Sequence, residues 1–163
     1  MENAYHVGMA DLVVVSAPAK LITLGLGSCI GLVVFDSVAK IAGMVHIMLP
    51  DSHGSRGTEK IGKFADTAVP AVVNEMIKKG ASKVRMKAKI AGGAQMFALP
   101  GTPTDFLAVG SRNIKETTAM LSKHAIPLIA SDTGGNKGRT VEFSTTTWML
   151  VVKTLGKKEL TEI

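Results

Sequence analysis

The most constraining stretch of this chain is a pair of apolar, β-branched runs, Ile30 to Asp36 (IGLVVFD) and Ile41 to Leu49 (IAGMVHIML), separated by a few turn residues. Neither run alternates apolar with polar, so a hairpin built from them has no wet face and must be covered on both sides. Such a hairpin belongs in the middle of a layered structure, and the rest of the chain has to supply the layers. The same stretch holds the only cysteine, Cys29, just ahead of the first run, and His46 inside the second.

The flanking segments supply strands and helices. Asp11 to Ala17 (DLVVVSA) and Leu21 to Leu26 read as strands. Thr58 caps a helix running to about Lys79, with Gly80 as its stop and Ile61, Phe64, Ala65, Ala68, Val72, Met76 and Ile77 on one face. Pro70 predicts a kink there, or a break into two helices. Val84 to Ala91 (VRMKAKIA) alternates apolar with basic, the pattern of a strand with one wet face. A tight turn at 92–97 and a loop at 98–106 follow.

Ser111 or Asn113 caps a second helix to about His124. Pro127 to Ser131 is a strand, Asp132 to Arg139 a glycine-rich turn, and Thr140 to Ser144 with Thr147 to Lys153 a closing hairpin. Residues 1–9 and 156–163 are expected to be frayed ends. The sum is eight or nine strands and two main helices in one mixed α/β domain covering 1–163.

Composition narrows the function. A chain of 163 residues can bury a core without disulfides, and its one cysteine cannot form one internally. With no secretory segment at the start, a reducing, cytoplasmic location is expected. No apolar run approaches the roughly 18 residues of a membrane span. The formal net charge is +6, but the loose cluster Lys78, Lys79, Lys83, Arg85, Lys87 and Lys89 has no stacking aromatics among it, as single-strand or RNA binding would need. An acidic protein surface is therefore the expected partner rather than nucleic acid. Cys29, His46 and His53 lack the spacing of a metal site, so neither metal nor organic cofactor is expected.

A thiol and an imidazole are the minimum equipment for thiolate catalysis. With a four-residue loop at 36–39, Phe35 pairs with Lys40 and paired numbers add to 75. Cys29 then lies directly across from His46 on one face, Cβ atoms about 5 Å apart. A one-residue slip would put the two on opposite faces. In that contact the imidazole draws the proton from sulfur and leaves a thiolate at neutral pH. Thr23, on the neighbouring strand, offers a hydroxyl to orient the ring, and amides around Gly27, Ser28 and Cys29 offer an oxyanion site. Gln95, Asp132 and Arg139, beside the later glycine clusters, are candidate contacts in a substrate groove. Two motif matches fail: Gly27-Ser28-Cys29-Ile30-Gly31 lacks the helix that a nucleophile elbow requires, and the glycines from Gly25 do not complete a dinucleotide fingerprint.

The strings TLGLGSCIGLVVFD, AGMVHIMLP, KIAGGAQMF, VGSRN and DTGGNKGRTVEF, in that order over about residues 8 to 153, resemble the chemoreceptor glutamine deamidase family, CheD. The resemblance implies a β-sandwich of mixed sheets flanked by helices, akin to bacterial toxin deamidases. It implies a Cys-His-Thr triad falling on Cys29, His46 and Thr23, and no cofactor. It also implies a substrate, selected glutamines on the cytoplasmic helical bundle of chemoreceptors, with glutamyl methylesterase activity at the same sites. The expected partner is a CheC-type chemotaxis phosphatase. The rival reading is a non-catalytic adaptor for that phosphatase with a structural cysteine. Two departures from the family pattern, Ile47 where an aromatic is expected and Trp148 where small residues are common, do not touch the triad.

Overall fold

The computed structural model describes residues 1–96 and 108–163; the expected loop at 98–106 and the end of the turn before it lie outside them. At the centre stand the two apolar runs, as β4 (Ile30–Asp36) and β5 (Ile41–Ile47), every residue of both buried. Their side chains alternate between two cores. Ile30, Leu32, Val34, Ile41, Val45 and Ile47 face the helices, while Val33, Phe35, Ala42 and Met44 face a second sheet. Burial on both sides, expected from the pattern, is what the fold delivers.

The central sheet has the order β2-β5-β4-β6-β7, adding β2 (Leu12–Ser16), β6 (Lys87–Gly92) and β7 (Leu128–Thr133). The second sheet has the order β1-β3-β8-β9-β10, from β1 (Asn3–His6), β3 (Ala19–Leu26), β8 (Arg139–Ser144), β9 (Leu150–Thr154) and β10 (Thr161–Glu162). Each sheet has one parallel pair, β1 with β3 and β6 with β7. Helices α1 (Ala65–Lys78) and α2 (Val109–Lys123) both cover the outer face of the central sheet. The architecture is an α+β sandwich of three layers: helices, central sheet, second sheet. Among the described residues no helix is long and apolar enough to cross a membrane.

Several expectations are corrected. Helix α1 begins at Ala65 rather than Thr58 and runs through Pro70 unbroken. Pro70 stands one turn in, so the missing N–H removes only the bond that would reach the Asp66 carbonyl. Neither Ser111 nor Asn113 caps α2, which starts at Val109 without a side-chain cap bond. Strand β6 has no wet face along its length, because it lies between β4 and β7 with only Lys87 exposed. Lys89 is 5% exposed. Its ammonium donates to the carbonyls of Trp148 (2.7 Å) and Ile163 (2.8 Å) and sits over the Phe35 ring, which offsets the cost of burying a charge. Both ends expected to fray are paired, β1 with β3 and β10 with β9. Between the sheets Phe35, Phe143 and Trp148 contact one another.

Asp36 ends β4 and caps the hairpin turn. It accepts from the amides of Val38 and Ala39, from Ser82 N, and from Arg85. Burial alone would raise its carboxyl, but the Arg85 guanidinium and the amides of Ser82 and Ala39 bring it down to about 2.

Candidate active site

Three segments carry the candidate residues: the middle of β3 with Thr23, the loop Gly27 to Cys29, and the end of β5 with His46. The hairpin register differs from the expected one in an instructive way. Ile30 faces Ile47 and Asp36 faces Ile41, so paired numbers add to 77 instead of 75. The turn keeps four residues but occupies 37–40, one position later. Sliding a loop of fixed length by one residue moves the register by two, and a step of two preserves the face. Gly31, not Cys29, is therefore opposite His46. Cys29 lies two residues further along, on the same side of the sheet, packed against the core between the two sheets. The two positions are thus offset by two residues rather than directly paired, and no hydrogen bond joins Cys29 to the imidazole among the described residues.

Gly31 is what makes room there. A Cβ at that position would stand 3.0 Å from Leu26 Cδ1 and 3.5 Å from Thr23 Cγ2, in the space between His46 and the second sheet. Gly92, at φ +109, does the same for the loop of Cys29, because a side chain there would run into the Cys29 carbonyl.

Thr23 and His46 belong to different sheets and are both 1% exposed. Thr23 Oγ1 lies 2.8 Å from His46 Nδ1 and 2.6 Å from the Val7 carbonyl oxygen. A carbonyl only accepts, so the single hydroxyl proton goes to Val7. Oγ1 then meets Nδ1 with a lone pair, and Nδ1 must carry the ring proton. Nε2 is left as a bare acceptor, buried and without a hydrogen-bond partner among the described residues. Burial pulls the His46 pKa below its ordinary value, against a smaller opposing effect of Asp11, and the ring is neutral at pH 7. A buried, neutral imidazole with an open Nε2 is equipped to receive a proton.

The thiol differs from expectation. Burial pushes Cys29 above the ordinary thiol value, and no charged neighbour offsets this among the described residues. Burial thus favours the neutral thiol over the expected thiolate.

The loop that presents Cys29 is tied down by its carbonyls. Gly27 O accepts from Ala94 N (2.9 Å), Cys29 O from Gly93 N (2.9 Å), and Ser28 O from Asn113 Nδ2 (2.9 Å). The amides of Gly27, Ser28 and Cys29 have no backbone carbonyl partner among the described residues. Asn113 is fully buried, and its Nδ2 also reaches Met48 O at 3.0 Å. It thus joins the loop of the cysteine to the segment just after the histidine. The sequence reading takes Asn113 for a helix cap and misses this; the VGSRN string was the only sign that the position mattered.

Of the groove candidates, Asp132 and Arg139 bind each other at 3.1 Å. Arg139, 8% exposed, also donates to the carbonyls of Gly92 and Gly134, so it braces the glycine turns behind the loop. Gln95 is half-buried in the segment after Gly93, its amide bound to Gly135 O. Its neighbour Met96 covers Gly27.

By fold and site, this is an α+β sandwich with Cys29 and a threonine-bound His46 near one end of its central hairpin. The family model for CheD chemotactic sensory transduction matches residues 48–154. A probable chemoreceptor glutamine deamidase CheD of Caldanaerobacter subterraneus subsp. tengcongensis is 48% identical over 93% of each chain. A chemoreceptor glutamine deamidase CheD of Halalkalibacterium halodurans is 44% identical over 98% of this chain and 100% of its own. The chain belongs to the CheD family. A crystal structure of a Neisseria meningitidis protein of the family DUF152 has a similar fold, with a TM-score of 0.51 at 8% identity. That likeness covers 82% of this chain and 64% of the other.

Proposed function

We propose that this protein deamidates glutamine side chains of chemoreceptors, with Cys29 as nucleophile, His46 as general base and acid, and Thr23 orienting the ring. The observation that carries the reading is the Thr23–His46 bond, which leaves Nε2 open on the side of the sheet that holds Cys29. In the resting neutral pair, thiol deprotonation accompanies attack. Sγ bonds to the carboxamide carbon as its proton passes to Nε2, and the carbonyl oxygen takes the negative charge near the amides of Gly27 to Cys29. Collapse breaks the C–N bond, and the imidazolium gives its proton to the departing ammonia. Water, deprotonated by His46, then attacks the γ-glutamyl thioester. Glutamate is released and the thiol restored.

The same thioester would form from a glutamyl methyl ester with methanol leaving, so methylesterase activity fits one site. Gln95, beside the nucleophile loop, is the proposed polar contact for the substrate. The sequence similarity to CheD also supports a cytoplasmic setting, a receptor helical bundle as substrate and a CheC-type phosphatase as partner. Incubating a receptor cytoplasmic fragment with the protein and weighing its peptides should show gains of about one dalton at glutamines. Cys29→Ala should abolish both those gains and ammonia release. A Cys29→Ala protein as active as wild type would sink Cys29 as the nucleophile, and a wild type that leaves every glutamine unchanged would leave the adaptor role.

A further inference from the structure

We propose that Asp11 is a positioning residue for His46, acting through the Val7–Gly8 peptide. The inference rests on the reading of His46 as the base. The Thr23 hydroxyl is not the end of the chain of bonds, since its proton is held by Val7 O at 2.6 Å. The other end of that same peptide unit is Gly8 N–H, which donates to Asp11 Oδ2 at 3.1 Å. A carboxylate gripping the N–H polarises the amide and makes its carbonyl a stronger acceptor. One continuous relay results: Asp11 carboxylate, Gly8 N–H, Val7 C=O, Thr23 hydroxyl, His46 Nδ1–H.

The main chain around Asp11 supports the assignment. His46 N donates to Asp11 O at 3.2 Å, and Ala10 N donates to His46 O at 2.9 Å, so the Asp11 turn is fastened to the residue it serves. Asp11 N closes the turn onto Gly8 O at 3.0 Å. The carboxylate divides its oxygens, Oδ2 to Gly8 and Oδ1 to Lys60 Nζ at 2.6 Å. Position 8 has to be small for this, because a Cβ there would stand 2.8 Å from Oδ2. Loosening the grip frees the Thr23 proton to turn toward Nδ1. That selects the tautomer protonated at Nε2, which cannot accept a proton from the thiol.

The test reads the tautomer directly, by ¹⁵N-resolved NMR of the imidazoles in the full chain above the pH of imidazole titration. No substrate is needed. Wild type should show His46 protonated at Nδ1 only. Asp11→Ala should show a mixture of tautomers and lose roughly tenfold in kcat on a receptor glutamine with KM little changed, the low end for loss of an outer-shell partner. Asp11→Asn keeps an oxygen for Gly8 N–H and should recover most of the rate. Lys60→Met, which breaks only the ion pair, should leave both readouts as in wild type. If Asp11→Ala does not fold, Gly8→Ala pushes the carboxylate off the amide and carries the same expectation. Protonation of His46 at Nε2 in wild type overturns the proposal. So does Asp11→Ala changing only one of tautomer and kcat, or neither. Absence of deamidase activity in wild type would count against the function reading, while the tautomer would still decide this one.

Discussion

At the scale of single residues, the site was legible where chemistry is written in side-chain type. One cysteine, a histidine in an apolar strand and a threonine on the next strand can be picked out, and the structure brings Thr23 and His46 within 2.8 Å. The supports were not legible because much of their work is done by the main chain. Val7 acts through a carbonyl, a group every residue has, and Asn113 acts across 85 positions to reach Ser28. The direction of the shifts was hidden for a related reason: a sequence gives the two residues but not their burial, which raises Cys29 and lowers His46.

A consequence can be measured. To act in its proposed role as base His46 must be neutral, and burial holds its pKa below the ordinary imidazole value. The acid limb of kcat/KM should therefore fall below pH about 6.5. The folded protein accepts this proton less readily than the unfolded chain. The stability linked to His46 is thus complete above that pH and is lost as pH falls through the window beneath it. An acid limb above the ordinary value would contradict the assignment.

At the scale of elements, the strands were readable from pattern and the boundaries were set by contacts the pattern does not show. Asp36 moved the turn by one residue, because its carboxylate caps the amides of Val38 and Ala39 and so keeps Asp36 itself in the strand. Sliding the turn preserved the face, but changing its length would not. One residue inserted between Ser37 and Lys40 should turn His46 toward the helices or shift β5 against its neighbours, and should abolish activity and lower the melting temperature. Helix α1 approaches β5 most closely at Gly43, where a Cβ would meet Val72 Cγ2 at 2.5 Å. Gly43→Ala should cost about 1–3 kcal/mol in denaturant unfolding, the usual price of overpacking. An unchanged midpoint would mean that α1 is less firmly seated than this contact implies.

At the scale of the whole molecule, the layered α+β class followed from one hairpin with no wet face, together with enough amphipathic segments to cover it. The pairing of both chain ends was beyond reach, since polar strands such as β1, exposed at all four residues, are held by main-chain bonds that composition does not reveal. The charge of +6 belongs to this scale too. If the substrate surface is acidic, kcat/KM on a receptor fragment should fall as salt rises from about 0.05 to 0.5 M, while kcat holds. No salt dependence would remove charge from the account of recognition.

Thr23 comes from the second sheet and His46 from the central one, so their bond exists only after the two sheets have closed on each other. Strand β3 also waits for β8, more than a hundred residues later in the chain, and pairings of that separation form slowly. A chain whose two sheets have not yet packed therefore holds Cys29 and His46 without the bond between Thr23 and His46. On the proposed mechanism, refolding should return deamidase activity no earlier than it returns the packing of the two sheets.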